Sequence, residues 1–197
     1  MALDEDPGVD VTALTDSLLL ERIRQGDTTS FETLFYRHYD RVYGLLFRLV
    51  GNRVEAEDLT QEAFLKLYRH AFSKRPFAKP KPGPAKEQNI SAWLYRVATN
   101  LGYDALRSRR RSQERDTLLL PDSQGSPAAE KEVELREQRT AVRTALARLP
   151  QRQGQLLLLR QMGLSYAECA AICDVAPGSV GTLLARAAKA FREVYEE

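Results

Sequence analysis

The sequence predicts an all-α protein: two small helical domains joined by a flexible linker, the C-terminal one carrying a helix-turn-helix. Three observations predict it. Apolar residues recur mostly at the i, i+3, i+4 spacing of helices. No segment alternates strongly enough to be a strand. The helical pattern fades over RSQERDTLLLPDSQGSPAAE, residues 111–130, where Pro, Gly, Ser and charge replace periodicity. These features predict an acidic, disordered N-terminus (1–13), a first domain (14–112), a linker (113–131) and a second domain (132–197).

In the first domain, Leu18, Leu19 and Ile23 make a short stripe that ends at Gly26. Ser30 is the expected N-cap of a second helix carrying Phe31, Leu34, Phe35, Tyr39, Val42, Tyr43, Leu46, Phe47 and Leu49, with Gly51 and Asn52 ending it. A third helix follows through AEDLTQEAFLKLYRHAF, residues 56–72. Glu55, Glu57, Asp58 and Glu62 crowd its start, where acids complement the helix dipole. The same acids beside exposed apolar groups would also dock a basic partner helix, and chemistry alone does not choose. The Pro- and Lys-rich stretch SKRPFAKPKPGPAKEQN, residues 73–89, cannot be helical throughout.

A fourth helix spans residues 90–111 and runs into ALRSRRRSQER. Arg107, Arg109, Arg110, Arg111 and Arg115 cluster there, with no acid from Ala105 to Gln113. Cations favour a helix C-terminus, but this density exceeds what a cap requires. Upstream stand Trp93, Tyr95, Arg96, Asn100 and Tyr103. Aromatic and basic residues together suit single-stranded or melted nucleic acid, through stacking and phosphate contact. Trp93 itself reads first as a core residue of an amphipathic helix.

In the second domain the helical pattern resumes near Glu132, breaks at Pro150 and returns from Arg152 to Gln161. Then comes GLSYAECAAICDVAPGSVGTLLARAAKAF. Ser165 and Glu168 form an S-x-x-E capping box. Cys169, Ala170 and Cys173 share a small apolar face with Tyr166. Asp174 takes the turn, and Pro177 suits the first position of the next helix. That helix turns Val180, Leu183, Leu184 and Ala187 inward and leaves Ser179, Thr182, Ala185 and Arg186 on other faces. From Ser165 to Leu184 the chain has no Lys or Arg. Phosphate contacts would come from Arg148, Arg152 and Arg160 before the turn, and Arg186, Lys189 and Arg192 after it. Backbone amides at the start of the second helix could also hold a phosphate. A helical hairpin without a DNA role remains open on this segment alone. Cys169 and Cys173 could be half of a metal site, but His38 and His70 lie in the other domain, so they read as core.

The bulk numbers exclude other classes. The net charge of +2 does not imply nucleic acid on its own; the distribution matters more. The longest purely aliphatic run, Leu156 to Leu159, falls far short of the roughly 20 residues of a membrane helix. The acidic N-terminus has no secretory pattern, and two cysteines make no disulfide framework, which predicts a reducing, intracellular protein. No nucleophile–base pair or phosphate-binding glycine loop stands out, so no catalytic residue, metal or cofactor is expected.

The segments DLTQEAFLKLYRH, WLYRVATNLGYDALRSRRR and LPQRQGQLLLLRQMGLSYAECAAICDV, in this order, resemble a bacterial sigma factor of the sigma-70 family. The two-domain layout resembles the extracytoplasmic-function group. The resemblance covers about residues 18–191 and implies a non-enzymatic, cytoplasmic subunit that gives core RNA polymerase promoter specificity and helps to open DNA. Asp58, Gln61, Glu62, Phe64 and Leu65 fall on the segment that docks the β′ clamp helices. Trp93, Arg96 and Asn100 fall on the segment facing the minus-ten element, with Arg107, Arg109, Arg110 and Arg111 beyond. Lys79 and Lys81 lie in the position of a base-capturing loop. Arg148, Arg160, Pro177, Gly178, Ser179, Thr182, Arg186 and Lys189 fall on the minus-thirty-five reader. The implied partners are core polymerase (the β′ clamp helices and the β flap), promoter DNA as duplex and as melted strand, and an anti-sigma factor by family habit; no membrane is implied. The linker would thread near the RNA exit path.

Several positions depart from the family pattern. Gly181 and Leu183 stand where relatives often have Lys and Arg, and Gly154 where Arg is common. Ala176 replaces the usual Ser or Thr cap, a change worth about 1 kcal/mol of helix stability. Cys169 and Cys173 take positions usually held by Ile and Leu. Two other classes stay open: a stand-alone helix-turn-helix regulator, and a decoy that binds polymerase or an anti-sigma protein but not DNA.

Overall fold

The structure, a computed structural model, describes residues 13–73, 89–113 and 127–196. The acidic start and residues 114–126 of the expected linker lie outside the described residues. Every regular element among the described residues is helical: α1 (Asp16–Arg24), α2 (Thr28–Val50), α3 (Arg53–Ala71), α4 (Ile90–Gln113), α5 (Pro127–Arg148), α6 (Gln151–Gln161), α7 (Tyr166–Cys173) and α8 (Val180–Tyr195), with a 3-10 turn at Pro177–Ser179.

Local chemistry sets most boundaries. The Asp27 carboxylate, not Ser30, caps α2. It accepts from the Thr29 and Ser30 amides at 2.9 and 3.2 Å. The Ser30 hydroxyl donates to the same carboxylate at 2.7 Å and is buried. An anion at the helix N-terminus satisfies orphan donors and the dipole together, which a serine three residues on cannot match. Gly51 ends α2 in the left-handed conformation, φ 71°. Asn52 starts α3 by accepting from the Glu55 amide at 3.0 Å, three residues before the sequence pattern becomes apolar. Helix α5 likewise begins at Pro127, five residues ahead of the resumed pattern, with proline in its tolerated first position.

Helices α1–α4 pack around Leu19, Leu34, Leu45, Leu46, Leu49, Leu67 and Leu94, all fully buried. Helix α2 is the hub. Phe35 meets Phe64 of α3 with ring centroids 4.6 Å apart, and Phe31 meets Tyr68 edge-on at 5.2 Å. Asp16 fastens α1 to α2 through Arg37 Nη1 and His38 Nε2, each 2.7 Å away. Burial works to raise the Asp16 pKa, but these two partners outweigh it and hold the carboxyl below its ordinary value. Helices α5–α8 make the second group, with α6 on α8 and α7 and with α5 on α8.

The two groups are in contact. Helix α4 packs on α7, and the core runs through both groups. Two helical domains joined by a linker were the expectation, with their mutual packing left open; the packing partner of α4 is what helical periodicity does not encode.

Candidate nucleic-acid interface

Three surfaces carry the residues singled out from the sequence. The first is the outer face of α3. Asp58, Gln61, Glu62 and Leu65 are all exposed there. Val54, Tyr68 and Phe72 continue the same face, all exposed apolar side chains. Sequence reasoning missed these three, although their spacing from Leu65 (eleven residues before it, and three and seven after it) puts them on one stripe of α3 and its C-cap. Phe64 is not part of it. It is 2% exposed and lies against Phe35, because it falls on the stripe that faces α2.

The second surface is one side of α4. Arg96, Asn100, Tyr103 and Arg107 follow each other at helical spacing and point toward α6 and α7. Arg96 donates through Nε to the Ile172 carbonyl at 2.9 Å and through Nη2 to the Ala171 carbonyl at 2.6 Å. Those carbonyls close α7, a helix with no basic residue in its last turn, so the guanidinium supplies the cation there. Asn100 Oδ1 accepts from Gln151 and Gln155 at 2.7 and 3.3 Å. Gln155 also donates to the Thr99 hydroxyl at 3.0 Å, and Arg107 donates to Gln151 Oε1 at 3.0 Å. Trp93 is half-buried and stacks on His70 with centroids 4.9 Å apart.

The arginine cluster at the end of α4 does not act as one unit. Arg109 turns inward, to the Val50 carbonyl at 2.9 Å and the Glu55 carboxylate. Arg107 also reaches Asp104. Arg111 is exposed. The Arg110 side chain, Lys79, Lys81 and Arg115 lie outside the described residues.

The third surface is the outer face of the 3-10 turn and α8. Pro177, Gly178, Ser179, Thr182, Arg186 and Lys189 are exposed together. Val180 and Ala187 are buried and Leu183 and Leu184 half-buried, as the helical spacing requires. Ser165 and Glu168 form the capping box of α7, and the Ser165 hydroxyl and amide hold the Glu168 pKa below its ordinary value. Asp174 takes the turn at φ 53°. Pro177 opens a 3-10 turn rather than the α-helix itself, and Ala176 offers no side-chain cap.

Arg148 is exposed at the end of α5. Arg160 bonds the Leu164 carbonyl and lies 5.2 Å over the Tyr166 ring, bracing the turn between α6 and α7. Tyr166 is therefore 49% exposed and does not share the buried face of Cys169 and Cys173. Both thiols are buried, and desolvation raises their pKa values, that of Cys173 to about 11. No single described helix is long and apolar enough to cross a membrane.

Comparison with known proteins places two of these segments. Residues 34–112 match the family model described as Sigma-70 region 2, and residues 139–191 match Sigma-70, region 4. The chain is 32% identical to the ECF RNA polymerase sigma-E factor of Haemophilus influenzae, over 88% of this chain and 92% of that one. It is 32% identical to the ECF RNA polymerase sigma-E factor of Escherichia coli K12, over 90% and 92%. It is 30% identical to the RNA polymerase sigma-H factor of Pseudomonas aeruginosa, over 91% and 93%. In fold it is similar to CnrH, solved in complex with the cytosolic domain of CnrY, with a TM-score of 0.59 at 19% identity over 92% of this chain and 97% of that one. It is also similar to RpoE of Bartonella quintana, solved with the anti-sigma factor NepR, with a TM-score of 0.50 at 24% identity over 84% and 96%.

Proposed function

The chain belongs to the extracytoplasmic-function group of the sigma-70 family, and from that premise we propose how its surfaces divide the work. It is a sigma factor, which binds core RNA polymerase, recognises promoter DNA and promotes its opening for transcription initiation. It works as a cytoplasmic subunit of a bacterial polymerase and does no bond chemistry itself. The observation that carries the reading is that both matched segments carry an exposed, chemically suited face: acids beside apolar groups on α3, and small polar and basic groups on the outside of α8.

In this reading Asp58, Gln61, Glu62 and Leu65 dock the β′ clamp helices, with Val54 and Tyr68 enlarging the contact. Trp93, Arg96 and Asn100, with Arg107 and Arg111 beyond them, hold the melted minus-ten strand by stacking and phosphate contact, while Arg109 braces α4 against Val50 and Glu55. Ser179 and Thr182 touch base edges of the minus-thirty-five element, while Arg186, Lys189 and the amides of Gly178 and Ser179 hold phosphates. This reader carries little charge and binds weakly alone. The polymerase compensates by holding both elements over one promoter, through the β flap on α5–α8 and the clamp helices on α3, at high effective concentration. An anti-sigma factor is inferred as a further partner, on the ground that the two similar structures were solved with partner proteins.

The test is gel filtration with bacterial core polymerase, followed by permanganate reactivity of thymines on promoter DNA. The chain should co-elute with core, and reactive thymines should appear only when both are present. Absence of co-elution would overturn the proposal.

A further inference from the structure

We propose that the cleft between α2, the start of α4 and the turn from α6 into α7 binds a small zwitterion with an apolar body, such as an apolar amino acid or a short apolar peptide. Arg41 takes the carboxylate, Glu168 takes the ammonium, and the Tyr95 hydroxyl orients the ligand between them. The inference does not depend on the promoter roles proposed above. The cleft has a volume of about 480 Å³, within the roughly 300–1,000 Å³ of small-molecule sites. Ala92, Leu164 and Ile172 give it apolar walls, and Arg41, Tyr95 and Glu168 give it a few polar groups. That mixture, mostly apolar contact with sparse polar anchors, is what holds and orients a small ligand.

Tyr95 is the observation that points to a ligand. It is 5% exposed and its ring belongs to the core. Its hydroxyl has no hydrogen-bond partner among the described residues. Burial raises its pKa, Arg41 pulls it down and Glu168 pushes it up, so the hydroxyl points into the cleft between these two charges. A buried hydroxyl left unpaired costs free energy that a ligand atom in the cleft would recover.

The charges select the ligand class. Arg41 and Glu168 line the same cleft but form no ion pair with each other among the described residues. Glu168 bonds the Ser165 amide and hydroxyl through Oε2, both at 2.7 Å, which leaves Oε1 for a donor. A plain anion would be repelled by Glu168 and a plain cation by Arg41. A molecule carrying both charges satisfies both residues. The carboxylate end belongs on the α4 side. Helix α4 starts at the cleft, with Asn89 accepting from the Ala92 amide at 2.7 Å. The other amides of that first turn have no acceptor within the helix and favour an anion.

The experiment is isothermal titration calorimetry of the free full-length chain with L-leucine, L-phenylalanine and L-leucyl-L-leucine. At least one should bind saturably, one per chain. Isocaproate, which lacks the ammonium, and isoamylamine, which lacks the carboxylate, should each bind wild type roughly tenfold or more weakly. Arg41→Gln should weaken the zwitterion roughly tenfold or more, and so should Glu168→Gln, which keeps the capping box. Tyr95→Phe should weaken it roughly three- to tenfold. Arg53→Gln, an exposed arginine outside the cleft, should change nothing. Isocaproate binding should be insensitive to Glu168→Gln, and isoamylamine binding to Arg41→Gln, which a merely structural role for either residue would not produce. Circular dichroism melts check that each variant folds. No saturable binding of any of the three zwitterions, or half-charged analogues that bind wild type as tightly as they do, would overturn the site. Equal weakening by Arg53→Gln and Arg41→Gln would overturn it too.

Discussion

Adjacent residues on α3 have opposite fates. Phe64 is 2% exposed and Leu65 53%. Phe64→Ala should cost about 3–5 kcal/mol of stability by leaving a cavity against Phe35. Leu65→Ala should leave the melting temperature nearly unchanged and weaken binding to core polymerase instead. Thermal melts and a core-binding titration of the two variants check this, and similar melts for both would contradict it. The sequence motif placed both residues together, because a family segment is contiguous while a helix face is not. Arg109 makes the same point. It was legible as part of a basic cluster, but its partners, Val50 and Glu55, lie more than fifty residues earlier in the chain. Long-range pairing of a flexible cation leaves no local signature.

At the level of elements, the helices were legible from periodicity and caps, and their ends were set by chemistry that periodicity hides. Asp27 displaced Ser30 as a cap because a carboxylate can accept two amides at once. Asn52 and Pro127 started helices before any apolar stripe had begun. The capping box at Ser165 was read correctly, since both of its partners lie within four residues. Ser165→Ala should cost about 1 kcal/mol by leaving the Glu168 amide and the α7 start unpaired. Conversely, Ala176 precedes the 3-10 turn without a side-chain cap. Ala176→Ser should stabilise the turn by up to about 1 kcal/mol and leave the outer face of α8 unaltered. Denaturant titrations of both variants should shift in opposite directions. A shift in the same direction would show that these caps do not govern the helix-turn-helix.

At the level of the whole molecule, the contact between the two helix groups gathers groups that resist ionisation. Cys173 has its pKa raised to about 11, by desolvation first and by Cys169 next, against the lowering pull of Arg152 and Arg96. Burial also raises that of Tyr103. The folded chain holds a proton on the Cys173 thiol that the unfolded chain releases near pH 9. That stability is fully present below about pH 9 and is lost as the pH rises through about 11. Melting temperatures between pH 8 and 11 should fall more steeply for wild type than for Cys173→Ala; equal slopes would contradict the burial argument. No part of this contact was legible in the sequence beyond the small residues Gly154, Ala170 and Cys173. Their size permits close approach without naming the helix that approaches.

The central claim concerns what the assembled molecule does with core polymerase. Run-off transcription from a genomic promoter library, with core polymerase and with or without the chain, tests it most directly. The account predicts discrete start sites that depend on the chain and share two spaced promoter elements. An unchanged transcript pattern, despite tight binding to core, would contradict it and leave a polymerase-binding decoy.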